Sequence, residues 1–316
     1  MRRTWPTTLA LFAVAVLTVF TVLAGSAAPA PSVAQAFLPR PNATTGTFPV
    51  SVQSADGTVR IPSRPDRVLC LSPSATQMLY AIGAGTQLVG VDMYSTYPPG
   101  APRTKFTGYE TSAEDYLPFR PDLVVLAAQT GTLVQQLQVL HIPVLLLPPA
   151  TTFADVDHQL AELGTATAHQ SAADNVQASL RQDVGAAARR AGNAGRGKTY
   201  YIEVDPTFYT ATSKTFIGAE FSLFGMRDIA DAAGHGTAYP QISPEYILKE
   251  NPDYVFLADT VCCKQDATTF AHRPGFGALT AVRLQHVIGV NDSVASQWGP
   301  HTIEELVSLL ATVLRS

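Results

Sequence analysis

Two similar α/β lobes with central, largely parallel sheets, joined by one long bridging helix and enclosing a cleft between them, are the architecture this sequence predicts. Three observations carry that reading. Short apolar runs of strand length alternate with helical patterns, one long stretch without proline divides them, and a segment of the first half recurs in the second. With 316 residues, 46% of them hydrophobic and 15% charged, the chain has enough material for two domains that each bury a core. The formal charge of -4 comes with no block of like charges, so the basic footprint of a nucleic-acid-binding protein is missing. DNA and RNA drop out as partners.

Taken in order, Arg2 and Arg3 precede an uncharged run over residues 7–25, small residues and an Ala34-Gln35-Ala36 triplet that suits signal peptidase. Residues 1–36 read as an export signal. The alternative is an uncleaved anchor, since 9–24 nears the length that spans a bilayer; either way the rest is extracytoplasmic (periplasmic or cell surface). Leu23-Ala24-Gly25-Ser26 is similar to a lipoprotein processing site, but Ser26 stands where the lipidated Cys must be, so no lipid anchor is expected. Residues 37–60 are assigned to a flexible tether, because 37–49 is rich in Pro, Thr and Asn without periodicity. Cys70, Cys262 and Cys263 are the only cysteines, too few for a disulfide-built scaffold.

The N-terminal lobe is placed at residues 61–165, with strands at 68–71, 88–91, 123–127 and 144–147 and helices at 75–82, 131–140 and 153–163. Such alternation argues for a parallel sheet. Residues 166–192 contain no Pro and one internal Gly, with Ala172, Val176, Leu180 and Val184 at four-residue spacing, which predicts a bridging helix about 40 Å long. The C-terminal lobe, 193–316, repeats the pattern with strands at 199–204, 254–258 and 287–290 and helices at 243–249 and 302–314.

Residues 112–127 align without a gap on 243–258, with eight identities: Ser112/Ser243, Glu114/Glu245, Leu117/Leu248, Pro121/Pro252, Asp122/Asp253, Val124/Val255, Leu126/Leu257 and Ala127/Ala258. Each copy reads as a Ser N-cap, a Glu in the first turn, a short helix, a Pro-Asp turn and a buried strand. Two lobes of one design, facing each other, make a cleft.

Residues 67–85 (RVLCLSPSATQMLYAIGAG), Leu88-Val89-Gly90-Val91-Asp92 and Tyr94-Ser95-Thr96-Tyr97-Pro98-Pro99 resemble the solute-binding proteins of ABC importers for vitamin B12 and ferric siderophores. The likeness continues through Pro121-Asp122-Leu123-Val124-Val125, Thr215-Phe216-Ile217-Gly218, Tyr239-Pro240-Gln241-Ile242-Ser243-Pro244-Glu245 and Gly299-Pro300, spanning about residues 60 to 316. It implies two lobes bridged by a rigid helix with the ligand between them. The chain departs from that family at Gln77, where Glu is frequent, at His301, where Arg is frequent, and at Tyr109, near which B12 binders carry Trp. These departures leave the ligand open.

Gly192-Asn193-Ala194-Gly195-Arg196-Gly197-Lys198-Thr199 fits the phosphate-loop pattern letter for letter. That chemistry needs a strand before the loop and a helix after it, and here the order is reversed, so Gly192 reads as a helix C-cap. The seven histidines, His141, His158, His169, His235, His272, His286 and His301, show no ligand spacing, and no metal site is assigned. A heme pocket with a single Tyr or His ligand stays open. No nucleophile elbow or assignable carboxylate pair supports catalysis, and no resident cofactor is expected.

Aromatic residues cluster where the cleft should be: Tyr94, Tyr97, Tyr109, Phe208, Tyr209, Phe216, Tyr239 and Trp298. Several follow strands at their carboxyl ends, where α/β sheets place ligands, and flat faces with polar tips suit a macrocycle or a catecholate; core packing is the competing reading for each. Cys262-Cys263 reads as passive loop thiols, a soft metal ligand or a vicinal disulfide. The expected function is capture of cobalamin or a ferric siderophore and delivery to an ABC importer, by a monomer, without reaction. Heme binding, and an exported enzyme or metal chaperone on the same fold, are the alternatives. The resemblance further implies that Glu114 and Glu245 face the membrane and pair with permease arginines. One continuous bridge implies a small tilt on closure.

Overall fold

The computed structural model describes residues 47–110, 112–129 and 131–315; the predicted signal at 1–36 and the first ten residues of the tether lie outside them. In chain order the strands are β1 (Val50–Ser54), β2 (Gly57–Ile61), β3 (Val68–Leu71), β4 (Leu88–Val91), β5 (Leu123–Leu126), β6 (Val144–Leu146), β7 (Thr199–Glu203), β8 (Arg227–Asp228), β9 (Tyr254–Leu257) and β10 (Val287–Gly289). The helices are α1 (Pro73–Ala81), α2 (Leu133–Val139), α3 (Phe153–Thr167), α4 (Gln170–Ala191), α5 (Phe216–Ser222), α6 (Ala230–Ala233), α7 (Pro244–Glu250), α8 (Ala267–Ala271), α9 (Thr280–Arg283), α10 (Asp292–Ser296) and α11 (Pro300–Val313).

Each lobe holds a four-stranded, wholly parallel sheet, ordered β4-β3-β5-β6 in the first and β8-β7-β9-β10 in the second. The first strand of each sheet therefore lies second from the edge, with its two successors on opposite sides. The central strands are buried along their length, VLCL in β3 and LVVL in β5 against YVFL in β9, as a sheet covered on both faces requires.

The internal repeat extends to details beyond the sequence match. Arg120 and Asn251, at equivalent positions, both adopt left-handed backbone, φ 44° and 46°. Asp122 then accepts the backbone N–H groups of Asp66 and Arg67, each at 2.9 Å, while Asp253 accepts those of Thr199 N–H at 2.9 Å and its hydroxyl at 3.1 Å. In both lobes the Pro-Asp turn thus ties the second conserved strand to the start of the first. The copies differ in their helix. Pro118 has no N–H to donate, so the first copy is two 3-10 turns, Ala113–Asp115 and Leu117–Phe119, where the second, with Lys249 at that position, is the continuous α7.

Two boundaries need correction. The tether assigned to 37–60 overlaps an antiparallel hairpin, with Val50 opposite Ile61 and Ser54 opposite Gly57. Its Val-polar alternation buries Val52 and Ile61 against the main core, and the turn at Asp56-Gly57 places Gly57 at φ 126°, which only glycine adopts freely. The bridge begins at Gln170, because α3 runs on to Thr167 and the chain turns at Ala168, φ 64°. At 22 residues it is about 33 Å long. Gly164 permits the tight α3–α4 crossing, since a Cβ there would lie 2.7 Å from that of Ala173. The helix ends at Gly192, whose N–H donates to the Ala188 carbonyl, and strand β7 follows. The phosphate-loop lookalike is therefore a helix C-terminus leading into a strand.

One hydrophobic cluster runs unbroken from Val68 and Leu123 through Ala173, Leu180 and Val184 of α4 to Phe221, Phe256 and Leu310. The lobes share a core on the bridge side. Separate clusters fill the far side of each sheet.

Candidate functional site

The carboxyl ends of β3 and β5 open onto the space between the lobes. Ser72 follows β3 and caps α1, accepting the Ala75 N–H at 3.3 Å, which leaves Pro73 and Ser74 at the rim of a cleft of about 600 Å³. Asp92, buried after β4, accepts the N–H of Tyr94 at 2.8 Å and the hydroxyl of Ser95 at 2.6 Å, and this turn leaves Tyr94 53% exposed in the cleft wall. Burial lifts the Asp92 carboxyl above its usual range against those hydrogen bonds.

A third loop is held by Glu110, which accepts N–H groups of Thr107 at 2.7 Å and Gly108 at 3.0 Å. Burial would raise this carboxyl, but the hydrogen bonds outweigh it and hold it low. Gly108 sits at φ 84°, and a Cβ there would come 2.9 Å from the Leu71 carbonyl; a glycine is needed for the loop to lie against β3. The result is Tyr109, 69% exposed. From the other lobe come Tyr239, Asp292, Ser293, Ser296, Gln297 and Trp298.

Tyr94, Tyr109, Tyr239 and Trp298 thus line one cleft. The remaining aromatic candidates do not. Tyr97 stacks on His301 across the lobe junction, ring centroids 3.7 Å apart and 11° between planes. Phe216 is a correction: it is buried, capped into α5 by Thr215, and packs edge-on against Phe153 at 5.1 Å, so it fills the shared core. Phe208 packs against Phe276 and lies 5.3 Å from the Arg273 guanidinium. Tyr209 makes an antiparallel bridge with Gln241 outside the cleft lining.

Sequence reasoning missed the polar lining, Ser72, Ser74, Ser293, Ser296 and Gln297. It also missed the pins that join the lobes. Trp298 N–H donates to the Ser74 hydroxyl at 3.0 Å, and its indole N–H to Gln159 Oε1 at 2.8 Å. Gln77 Nε2 donates to Gln297 Oε1 at 2.7 Å, while Gln77 Oε1 accepts the Thr302 N–H at 3.3 Å. Only the adjacency of Gln297 and Trp298 to the Gly299-Pro300 motif hinted at this.

Glu114 and Glu245 are both exposed. Glu114 borders a second groove of about 580 Å³ with Arg103, Lys105 and Asp115. Glu245 is held below its usual range by its own N–H and the Ser243 hydroxyl. Cys262 and Cys263 are joined as a vicinal disulfide. Among the described residues no three His, Cys, Asp or Glu side chains converge as a metal site would require, and no helix is long and apolar enough to cross a membrane.

Beyond the cleft, at the ends of β7 and β9, Arg273 donates twice to the fully buried Glu203, both bonds 2.6 Å. Asp259, also fully buried, is pushed up to about 7 by burial first and by Glu203 second; burial likewise pushes Asp228 up to about 7. An unfolded Asp titrates at about 3.9. The folded protein therefore keeps protons that the unfolded chain releases, and stability falls as pH rises from roughly 4 to 7. The melting temperature is expected to drop between pH 5 and pH 8, and less steeply in Asp259→Asn. An equal slope in that variant would sink the assignment.

The sequence profile of the family described as periplasmic binding protein matches residues 68–294. A cobalamin-binding protein of Halobacterium salinarum is 32% identical over 311 residues, covering 95% of this chain and 82% of that one. An ABC transporter substrate-binding lipoprotein of Bacillus subtilis is 28% identical over 279 residues, covering 85% and 87%. In fold, the chain is similar to the periplasmic heme-binding protein of Vibrio cholerae, with a TM-score of 0.70 at 20% identity, covering 79% of this chain and 99% of that one. The family match over most of the chain and the relative at 32% identity agree with the two-lobed fold, and the chain belongs to the periplasmic binding protein family of ABC importers, as an extracytoplasmic solute-binding protein.

Proposed function

We propose that the ligand is a corrinoid of the cobalamin class, held unaltered in the interlobe cleft by a monomer and handed to an ABC importer that docks on Glu114 and Glu245. The observation that carries the ligand choice is charge. Among the described residues lining the cleft there is no Lys, Arg or His, and the one charged side chain, Asp292, has its carboxylate occupied by backbone N–H groups of Val261 and Cys262. A ferric siderophore or the propionates of heme would lose water there and meet no cation. A corrin ring edged with uncharged amides instead meets three tyrosines, one tryptophan and several hydroxyls, which give flat apolar area and dispersed hydrogen bonds. The relative from Halobacterium named for cobalamin supports the same choice.

The test is calorimetry with cyanocobalamin, a ferric catecholate and hemin, each followed by recovery of the ligand. Micromolar or tighter binding of cyanocobalamin alone is expected, with the ligand returned unchanged. Selective binding of the catecholate or hemin overturns the choice, and a chemically altered ligand would point to an exported enzyme. Within the same assay, Trp298→Ala removes one wall and the indole pin to Gln159, keeps the backbone bond to Ser74, and should weaken cyanocobalamin by about 30-fold or more, the size of a central aromatic anchor. An affinity within about twofold of the parent would place the ligand elsewhere.

A further inference from the structure

The Cys262–Cys263 disulfide plays no part in the capture described above, yet it sits one contact from the cleft. Cys262 is exposed and Cys263 half-buried, so an external thiol can reach the bond. The remaining cysteine, Cys70, is fully buried, and burial pushes its thiol up to about 12. The vicinal pair is therefore the protein's one exchangeable couple.

A disulfide between neighbours closes a small ring that includes their shared peptide bond, and so restrains the backbone on both sides. Here that backbone does a specific job. The N–H groups of Val261 and Cys262 donate to the two oxygens of Asp292 at 2.8 and 2.7 Å, and the Thr260 hydroxyl donates to the Val290 carbonyl at 3.0 Å. The same loop folds back on itself through Cys263 N–H to the Asp259 carbonyl at 3.2 Å. Asp292 opens α10 and lines the cleft, as do Ser293, Ser296, Gln297 and Trp298 that follow it. Ser296 donates to the Asp292 carbonyl at 2.7 Å, so the far end of this short helix is tied to the residue the loop holds.

We propose that Cys262–Cys263 is a thiol-exchange site whose redox state sets the order of the cleft wall formed by residues 292–298. The co-reactant is a dithiol, either a small molecule or a thioredoxin-class protein. One of its thiolates attacks Sγ of the exposed Cys262, forming a mixed disulfide, and Cys263 leaves as a thiolate that takes up a proton. The second thiol of the co-reactant then attacks the mixed disulfide and frees Cys262. The partner is oxidised to its disulfide by two electrons, and the protein gains two electrons and two protons. Oxidised, the ring holds the two N–H groups on Asp292; reduced, residues 261–263 regain backbone freedom, and each clamp bond must be formed against that entropy. The coupling does not depend on which ligand the cleft takes.

Equilibrating the native protein with mixtures of reduced and oxidised dithiothreitol should raise its titratable thiols from none to two, with Cys70 silent. Amide hydrogen exchange, measured without ligand, is then expected to quicken several-fold at 260–263 and 292–298 on reduction and to stay constant in β3 and β5. Cyanocobalamin affinity should fall about fivefold or more, the lower end of allosteric couplings. Cys262→Ser with Cys263→Ser should reproduce the reduced form; if that variant fails to fold, the chemically reduced parent still decides. Exchange at 292–298 that is the same in both redox states overturns the coupling, even if cyanocobalamin binds tightly. Redox-dependent exchange in a protein that binds no cyanocobalamin overturns only the ligand assignment.

Discussion

In a reconstituted importer, the protein carrying Glu114→Arg together with Glu245→Arg is expected to deliver no ligand and to stimulate no ATP hydrolysis. Its ligand affinity and melting temperature should stay close to those of the parent. Both glutamates are exposed, both follow a Ser N-cap at equivalent places in the two lobes, and neither lines the cleft. A helix start favours a carboxylate with no other partner, which accounts for one such residue without any docking role. What argues for more is the pairing: two weak contacts far apart on similar lobes fix orientation as a single contact cannot, and charges at a rim act on encounter and register more than on fold stability. Each single variant should retain part of the transport. Normal uptake by the double variant would leave both residues as helix-terminus carboxylates.

A second large effect is expected in the buried charge cluster of the C-terminal lobe. Arg273→Leu strands Glu203, which has no solvent exposure, beside Asp259, and breaking such a pair costs about 3–5 kcal/mol. The Phe208, Phe270 and Phe276 rings that surround the guanidinium at 5.3, 5.0 and 5.9 Å lose a cation partner as well. Urea unfolding should show the loss as a lower midpoint. Adding Glu203→Leu to that variant removes the orphaned charge and should recover much of it, since replacing both members of a buried pair with apolar groups is often close to neutral. Equal midpoints for the single and double variants would mean that packing, and not charge, governs this cluster.

The sheets were legible because β3, β5 and β9 are continuous apolar runs ended by turn residues, and the duplication exposed their shared layout. The hairpin at 50–61 was hidden by the Pro, Thr and Asn preceding it, although Asp56-Gly57 between two alternating segments is a turn signal. No Gly or Pro marks the break between α3 and α4; Ala168 is driven into left-handed backbone by tertiary packing, against its own preference. Aromatic clustering located the cleft segments without saying which rings turn inward. Phe216 and Tyr94 both border the interlobe region, and only contact with Phe153 or with open space separates core from cleft. The pins between Ser74 and Trp298, or Gln77 and Gln297, join residues more than two hundred positions apart, and nothing local in either segment announces the other.

The core that runs without interruption from one lobe through α4 into the other has a thermodynamic consequence for transport. A receptor that could swing freely between an open and a closed form would store part of its binding energy as closure, and could let go by reopening. Here the lobes share buried apolar area on one side and are pinned by Gln77, Trp298 and the Tyr97–His301 stack, so that reserve is expected to be small. A protein of nearly one shape cannot lower its own affinity at the moment of delivery. Unloading by an importer that prises the lobes apart is therefore expected, and ligand release measured without the importer should be slow; fast spontaneous release would show that the lobes reopen on their own.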